Sequence, residues 1–262
     1  MKKIIVVGGG LAGLVSGILL SRKGINVTLI EKKEYPFHRV CGEYISNEAL
    51  PFLQANNLFP EEFQPPTINT FQLSSVSGKN SKLKLDLGGF GISRFSYDHF
   101  LYQIAKESEV SFLNDEVSQI QFSENQFQVE VGDKTLIADL VLCAFGKRSK
   151  LDVSLKRDFV NRRSPYVGIK YHIKTDNPDH LISLHNFEGG YCGMSNIEDG
   201  KTNLCYLVHR EKLRQAGSIN GLEEDLLKKN PFLKNIFENS DFLFDKPETI
   251  NEISIRNQRA CI

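Results

Sequence analysis

The stretch Ile4-Ile5-Val6-Val7-Gly8-Gly9-Gly10-Leu11-Ala12-Gly13 decides the fold of this chain. Four β-branched residues in a row predict a buried strand. Gly8, Gly10 and Gly13 then read G-x-G-x-x-G. Leu11, Leu14, Val15, Ile18 and Leu19 recur at spacings of three and four, which predicts a helix with one apolar face. A second apolar run, Val27 to Ile30, ends at Glu31, 23 residues after Gly8. Strand, glycine turn, helix, strand and terminal acid make up the βαβ unit that binds a dinucleotide.

Each position has a physical task in that unit. Gly8 permits a tight turn out of the strand. Gly10 lets the backbone approach a pyrophosphate, and Gly13 lets the helix lie close to the sheet. The helix N-terminus directs N–H groups and its positive dipole end at the phosphates. Glu31 accepts hydrogen bonds from a ribose 2′-hydroxyl and repels a 2′-phosphate, so the expected adenosine is that of FAD or NAD rather than NADP. A secretory leader is the competing reading, since Lys2 and Lys3 precede an uncharged Ile4 to Leu20. Three consecutive glycines interrupt that segment and no A-x-A site follows.

Composition bounds the rest. The 262 residues carry 32 Lys plus Arg against 32 Asp plus Glu, so no net charge favours nucleic acid or an acidic surface. The five cysteines, Cys41, Cys143, Cys192, Cys205 and Cys261, include no C-x-x-C pair. That pattern points to a reduced, cytoplasmic setting rather than to disulfides or zinc. His38 and Cys41 stand three apart, and two residues do not make a metal site. No apolar segment is long enough to predict a membrane span.

Farther along, Lys32 to Pro66 reads as loop and short helix. Ile68 to Leu73 and Leu83 to Leu87 read as strands, and Ser96 to Glu107 as a helix with Ser96 as N-cap. Val110 to Leu113 and Asp139 to Ala144 read as further buried strands of the parallel sheet. Val117 to Ile137 alternates around Glu124-Asn125 and Gly132-Asp133, which predicts an antiparallel meander. Tyr166 to Lys174, His180 to Phe187, Gly190 to Asn196 and Asn203 to Val208 predict one larger antiparallel sheet. Helices follow at Leu222 to Lys229 and Pro231 to Phe237, then a strand at Ile250 to Ile255. The expected organisation is a nucleotide-binding domain, 1–67 with 94–150, interleaved with a substrate domain, 68–93 with 151–262.

Four segments resemble the FAD-dependent oxidoreductases of the para-hydroxybenzoate hydroxylase superfamily, and within it the geranylgeranyl reductase-related proteins. They are Val6 to Glu31; Arg39-Val40-Cys41-Gly42-Glu43, similar to a C-G-E element near the flavin; Arg94-Phe95-Ser96-Tyr97-Asp98, similar to an R-x-x-x-D pattern; and Ala144-Phe145-Gly146-Lys147-Arg148-Ser149, similar to A-D-G-x-x-S. Gly189-Gly190-Tyr191 resembles a G-G-Y turn. The resemblance implies an α/β fold in which an FAD-binding Rossmann-like domain is interleaved with an α+β substrate domain built on an antiparallel sheet. It implies FAD contacts from Gly8, Gly10, Leu11, Ala12, Gly13, Glu31, Lys32, Arg39, Cys41, Gly42, Arg94, Val117 and Gly146. It also implies NAD(P)H as reductant and a small organic molecule as substrate, either reduced or monooxygenated.

Two departures stand out. Phe145 replaces the acid of the fourth motif. Relatives also continue into a Gly-Asp motif and helix that close the FAD site, and no Gly-Asp pair follows Gly200 here. The resemblance therefore implies a shortened member with weak FAD retention. The alternative is an inactive remnant with at most weak nucleotide binding. Several side chains keep two readings. Cys41 is a reactive thiol or a buried hydrophobe, and Glu43 is a general acid or a solvated loop carboxylate. Phe187, Tyr191 and Tyr206 line a pocket or fill the sheet core.

Overall fold

Short apolar runs alternating with helical stripes build a parallel sheet at the start of the chain, and period-two patterning builds antiparallel sheet later. The computed structural model describes residues 2–146, 149–157 and 164–251. In chain order the elements are β1 (Lys3–Val7), α1 (Leu11–Ser21), β2 (Asn26–Ile30), β3 (Tyr44–Ser46), α2 (Leu50–Ala55), β4 (Thr67–Ser74), β5 (Asn80–Gly91), α3 (Arg94–Glu107), β6 (Ser111–Leu113), β7 (Val117–Ser123), β8 (Gln126–Val131), β9 (Lys134–Ala138), β10 (Leu140–Cys143), α4 (Lys150–Ser154), β11 (Tyr166–Lys174), β12 (Leu181–Phe187), β13 (Gly190–Asn196), β14 (Thr202–His209), α5 (Arg210–Ala216), α6 (Ile219–Asp225), α7 (Pro231–Asn239), β15 (Asp241–Phe242) and β16 (Glu248–Asn251).

Two compact units form, residues 1–37 with 95–162 and residues 38–94 with 163–262. In the first, four parallel strands run in the order β10-β1-β2-β6. The predicted meander is the antiparallel sheet β7-β8-β9, its first turn using left-handed Glu124 and Asn125. Ile5, Val7 and Ile30 pack with Val117, Val129, Val131 and Ala138 of the meander and with Leu151 of α4. Leu14 and Ile18 of α1 and Leu29 of β2 are fully buried. Each such side chain contributes about 1.5–3 kcal/mol of hydrophobic stabilisation.

The second unit holds a nine-stranded sheet in the order β15-β11-β14-β13-β12-β4-β5-β3, with β16 also paired to β11. All its pairs are antiparallel except β12 with β4. Alternation sorts β11 between two faces. Val167, Ile169, Tyr171 and Ile173 join a core with Leu222, Leu227, Leu233 and Ile236 from the helical segments. Lys170 and His172 point the other way.

The structure corrects several boundaries. Residues 38–67 pack with the second unit, because Tyr44–Ser46 pairs with Gly89–Gly91 at the edge of its sheet. Residues 151–157 pack with the first, through buried Leu151. Helix α3 starts at Arg94, so Ser96 lies inside it rather than capping it. The strand expected at Leu83 to Leu87 extends over Asn80–Gly91. β10 is an edge strand, and its side chains are only partly buried. The last predicted strand begins at Glu248, and residues 252–255 lie outside the described residues. Among the described residues no helix is long and apolar enough to cross a membrane.

Candidate dinucleotide site

The glycine turn sits where the strand order of the parallel sheet reverses. β1 is flanked by β2 on one side and β10 on the other, and ligands of such sheets lie outside the carboxyl ends of the strands at that switch. Gly8 adopts φ +103°, and a Cβ there would come within 2.5 Å of the Ala144 carbonyl oxygen. A Cβ on Gly13 would fall 1.9 Å from the Gly8 carbonyl oxygen. Glycine at both positions therefore lets α1 begin directly against the end of β1. Gly10 is the residue before the helix, with φ −82°. The first N–H groups of a helix have no intrahelical partner, so the turn presents donors with a positive dipole behind them.

Glu31 stands at the tip of β2 with its carboxylate fixed by backbone. Its Oε2 accepts the Gly9 N–H at 2.9 Å, and its Oε1 accepts the Lys33 N–H at 3.1 Å. Tyr35 was not singled out by sequence pattern, yet it lies over the turn. Its hydroxyl donates to the Gly9 carbonyl at 2.5 Å, and its ring stacks on Tyr102 with centroids 4.5 Å apart. Across the switch point, Gly146 has φ +74° and open space where a Cβ would stand. Phe145, which replaces the acid of the related motif, packs on the apolar core of the first unit with the Arg157 guanidinium 5.6 Å from its ring centre. Arg157 also pairs with buried Asp152 at 3.1 Å.

The other expected first-unit contacts are more dispersed. Lys32 is exposed and pairs with Glu116 at 3.2 Å. Val117 is buried in the core of the first unit. Leu11 is half-buried and Ala12 exposed on the first turn of α1. Lys147 and Arg148 lie outside the described residues.

In the second unit the Arg39–Glu43 segment is held from beneath. Glu43 is buried, which corrects the reading of it as a solvated loop carboxylate. Its Oε1 accepts Lys170 Nζ at 2.5 Å and the Arg94 N–H at 2.8 Å, and its Oε2 accepts His172 Nε2 at 2.7 Å. Burial alone would push the Glu43 carboxyl upward. The hydrogen bond from His172 and the charge of Lys170 outweigh it and hold the group below the usual carboxylate range. His38 stands edge-on to His172 at 5.2 Å. Burial, with Lys170 and His172 nearby, lowers its pKa to about 4. Asn203 Nδ2 donates to the Cys41 and Gly42 carbonyls at 3.2 and 2.9 Å. Arg94, half-buried, is the first residue of α3. Phe187 and Tyr206 are core residues, whereas Tyr191 is 40% exposed.

Comparison with known proteins agrees with this geometry. Residues 1–61 match the sequence model of an FAD binding domain. No curated protein matches the chain by sequence. Among solved structures, the flavin-dependent halogenase CmlS superposes with a TM-score of 0.77 at 20% identity, covering 95% of this chain and 49% of CmlS. A flavoprotein/dehydrogenase from Cytophaga hutchinsonii gives 0.76 at 16% identity, covering 95% of this chain and 66% of that one. The halogenase PltM, in complex with phloroglucinol and FAD, gives 0.77 at 15% identity over 96% of this chain and 60% of its own. The chain thus spans about half to two thirds of the length of these proteins. At such identities the likeness is one of fold: this chain has the fold of flavin-dependent halogenases, and it opens with a segment that matches an FAD binding domain.

Proposed function

We propose that this chain binds FAD and serves a flavin-dependent oxidoreductase acting on a small organic molecule. The observation that carries this reading is the glycine turn at the β1–β10 switch point, inside the segment that matches an FAD binding domain. In this reading the amides of Gly10 to Gly13 face the pyrophosphate and the Glu31 carboxylate faces the adenosine ribose. Lys32, Val117 and Gly146 of the same unit are further proposed contacts of FAD. Fixed backbone hydrogen bonds on Glu31 hold its charge where a ribose 2′-phosphate would be repelled, which favours FAD over an NADP-type adenosine.

Bound flavin supplies two-electron redox chemistry, and the protein supplies binding, orientation and exclusion of water. NAD(P)H is the proposed reductant. Reduction, monooxygenation and halogenation of the substrate all remain in the proposed class; the similar halogenases support the last two, and the geranylgeranyl reductase-like C-G-E segment supports the first. Site chemistry rather than fold separates them. The test is direct. Purified protein is titrated with FAD by fluorescence quenching, and its absorption spectrum is recorded. Saturable binding with flavin bands supports the proposal, and a colourless protein that does not quench FAD fluorescence refutes it.

A further inference from the structure

Three backbone carbonyls of the Arg39–Gly42 loop point inward to side chains of the nine-stranded sheet. Lys170 Nζ donates to the Arg39 carbonyl at 3.1 Å, and Asn203 Nδ2 takes those of Cys41 and Gly42. The loop then ends on Glu43, which has a left-handed φ of 52°. The Glu43 carbonyl accepts the Ile92 N–H at 3.1 Å. Lys170 and His172 are two apart on β11, and Asn203 on β14 is the register partner of His172, so all three occupy one face of the sheet. Lys170 is fully buried. A buried ammonium is costly unless paired and hydrogen-bonded, and here both of its contacts serve the loop: the Glu43 side chain and the Arg39 carbonyl.

We propose that Lys170, Glu43, His172 and Asn203 are positioning residues that fix the Arg39–Gly42 loop in one shape before any ligand arrives. The part of this inference that concerns cofactor affinity rests on the proposed FAD function. The rigidity of the loop does not. A loop with three of its four carbonyls already held by the sheet spends less ordering entropy on binding. Sequence spacing gives no sign of this arrangement, since Lys170 and Glu43 are 127 residues apart.

Cys41 is the reporter, because it lies in the loop and is half-buried. Cys143 is exposed and Cys192 is buried in the sheet core, so both serve as internal references. The experiment is iodoacetamide labelling of the ligand-free protein, read cysteine by cysteine by peptide mass spectrometry. It compares the parent chain with Lys170→Met and with Asn203→Leu, which leaves no charge unpaired. Labelling of a partly protected thiol follows the population of the locally opened state. Losing one such anchor should speed Cys41 labelling by about tenfold to a hundredfold. Cys143 labelling should not change and Cys192 should stay unlabelled. Should Lys170→Met also expose Cys192, Asn203→Leu decides. Unchanged Cys41 labelling in Asn203→Leu, or Cys192 labelling that rises in step with it, overturns the proposal. FAD titration of the same variants forms a separate arm. If the parent chain binds no FAD, the functional reading fails while the labelling result still judges the loop.

Discussion

The two units solve opposite problems with opposite materials. The first builds its proposed ligand cradle from backbone: glycines, a helix N-terminus and a strand tip, supported by apolar side chains. The second buries charge. Among the described residues, every buried polar or charged side chain except Asp98 and Asp152 belongs to the second unit. Besides the Glu43 cluster, Glu223 accepts the hydroxyls of Tyr171 at 2.9 Å and Tyr206 at 2.5 Å. Ser74 bonds His185 at 2.8 Å and Asn230 at 2.9 Å. A cradle made of backbone tolerates little added volume, whereas a buried polar network tolerates little change in charge.

That contrast gives its largest effect at Glu43. Glu43→Ala leaves the Lys170 ammonium buried without its carboxylate, and breaking such a pair costs about 3–5 kcal/mol. Urea unfolding should report that loss, and hydrogen exchange should place the lost protection in residues 38–94 and 164–251. Uniform loss across both units would break the contrast. Gly13→Val is the counterpart in the first unit. The obstacle is the backbone carbonyl of Gly8, so α1 must move off β1, at a cost of about 3 kcal/mol. Lost protection should then fall on residues 2–37. Retained protection there would show that the turn has slack.

Acid should separate the units next. Burial lowers the pKa of His185 from 6.5 to about 4, and that of His38 likewise. The unfolded chain binds these protons first, so their share of stability is complete above pH 6.5 and declines as pH falls toward 4. For His185 that share is up to about 3 kcal/mol, at 1.36 kcal/mol for each pKa unit. Glu43, held below the carboxylate range, adds its loss as pH falls through its depressed folded pKa. Denaturant midpoints read by exchange between pH 7 and pH 5 should fall for the second unit and hold for the first. Equal sensitivity would sink the assignment of acid lability to the buried histidines.

Glu31→Ala should leave both units folded and weaken FAD binding by about 1–3 kcal/mol, the range for a charge-assisted hydrogen bond. An unchanged dissociation constant in the folded variant would remove Glu31 from the site.

How much of this was readable in the sequence follows the same division. The βαβ unit is local: its glycines have fixed spacing, its helix a 3.6-residue period, and its acid a fixed distance from Gly8. The meander was readable for the same reason, since Glu124-Asn125 and Gly132-Asp133 mark its turns. Glu43 was visible as a motif residue, but its environment was not. Its partners Lys170 and His172 arrive from 127 and 129 residues away, and a lysine in a strand pattern ordinarily reads as a solvated position. The domain boundary failed on similar grounds. Tyr44–Ser46 is too short to read as a strand, and its pairing with Gly89–Gly91, with the Lys170 and Asn203 contacts to residues 39–43, goes with residues 38–67 packing in the second unit. Tyr35 was invisible because its contact with Gly9 is a matter of where the loop turns.

The central claim is that the Gly8–Gly13 turn holds the pyrophosphate of FAD. FAD titration of the parent chain beside Gly10→Val tests it most directly. Gly10 precedes the helix in extended backbone with φ −82°, a conformation Val adopts without strain, so the fold should persist by circular dichroism. The account predicts saturable quenching of FAD fluorescence by the parent chain and its loss in Gly10→Val. Equal affinity in the two proteins, both folded, would contradict it.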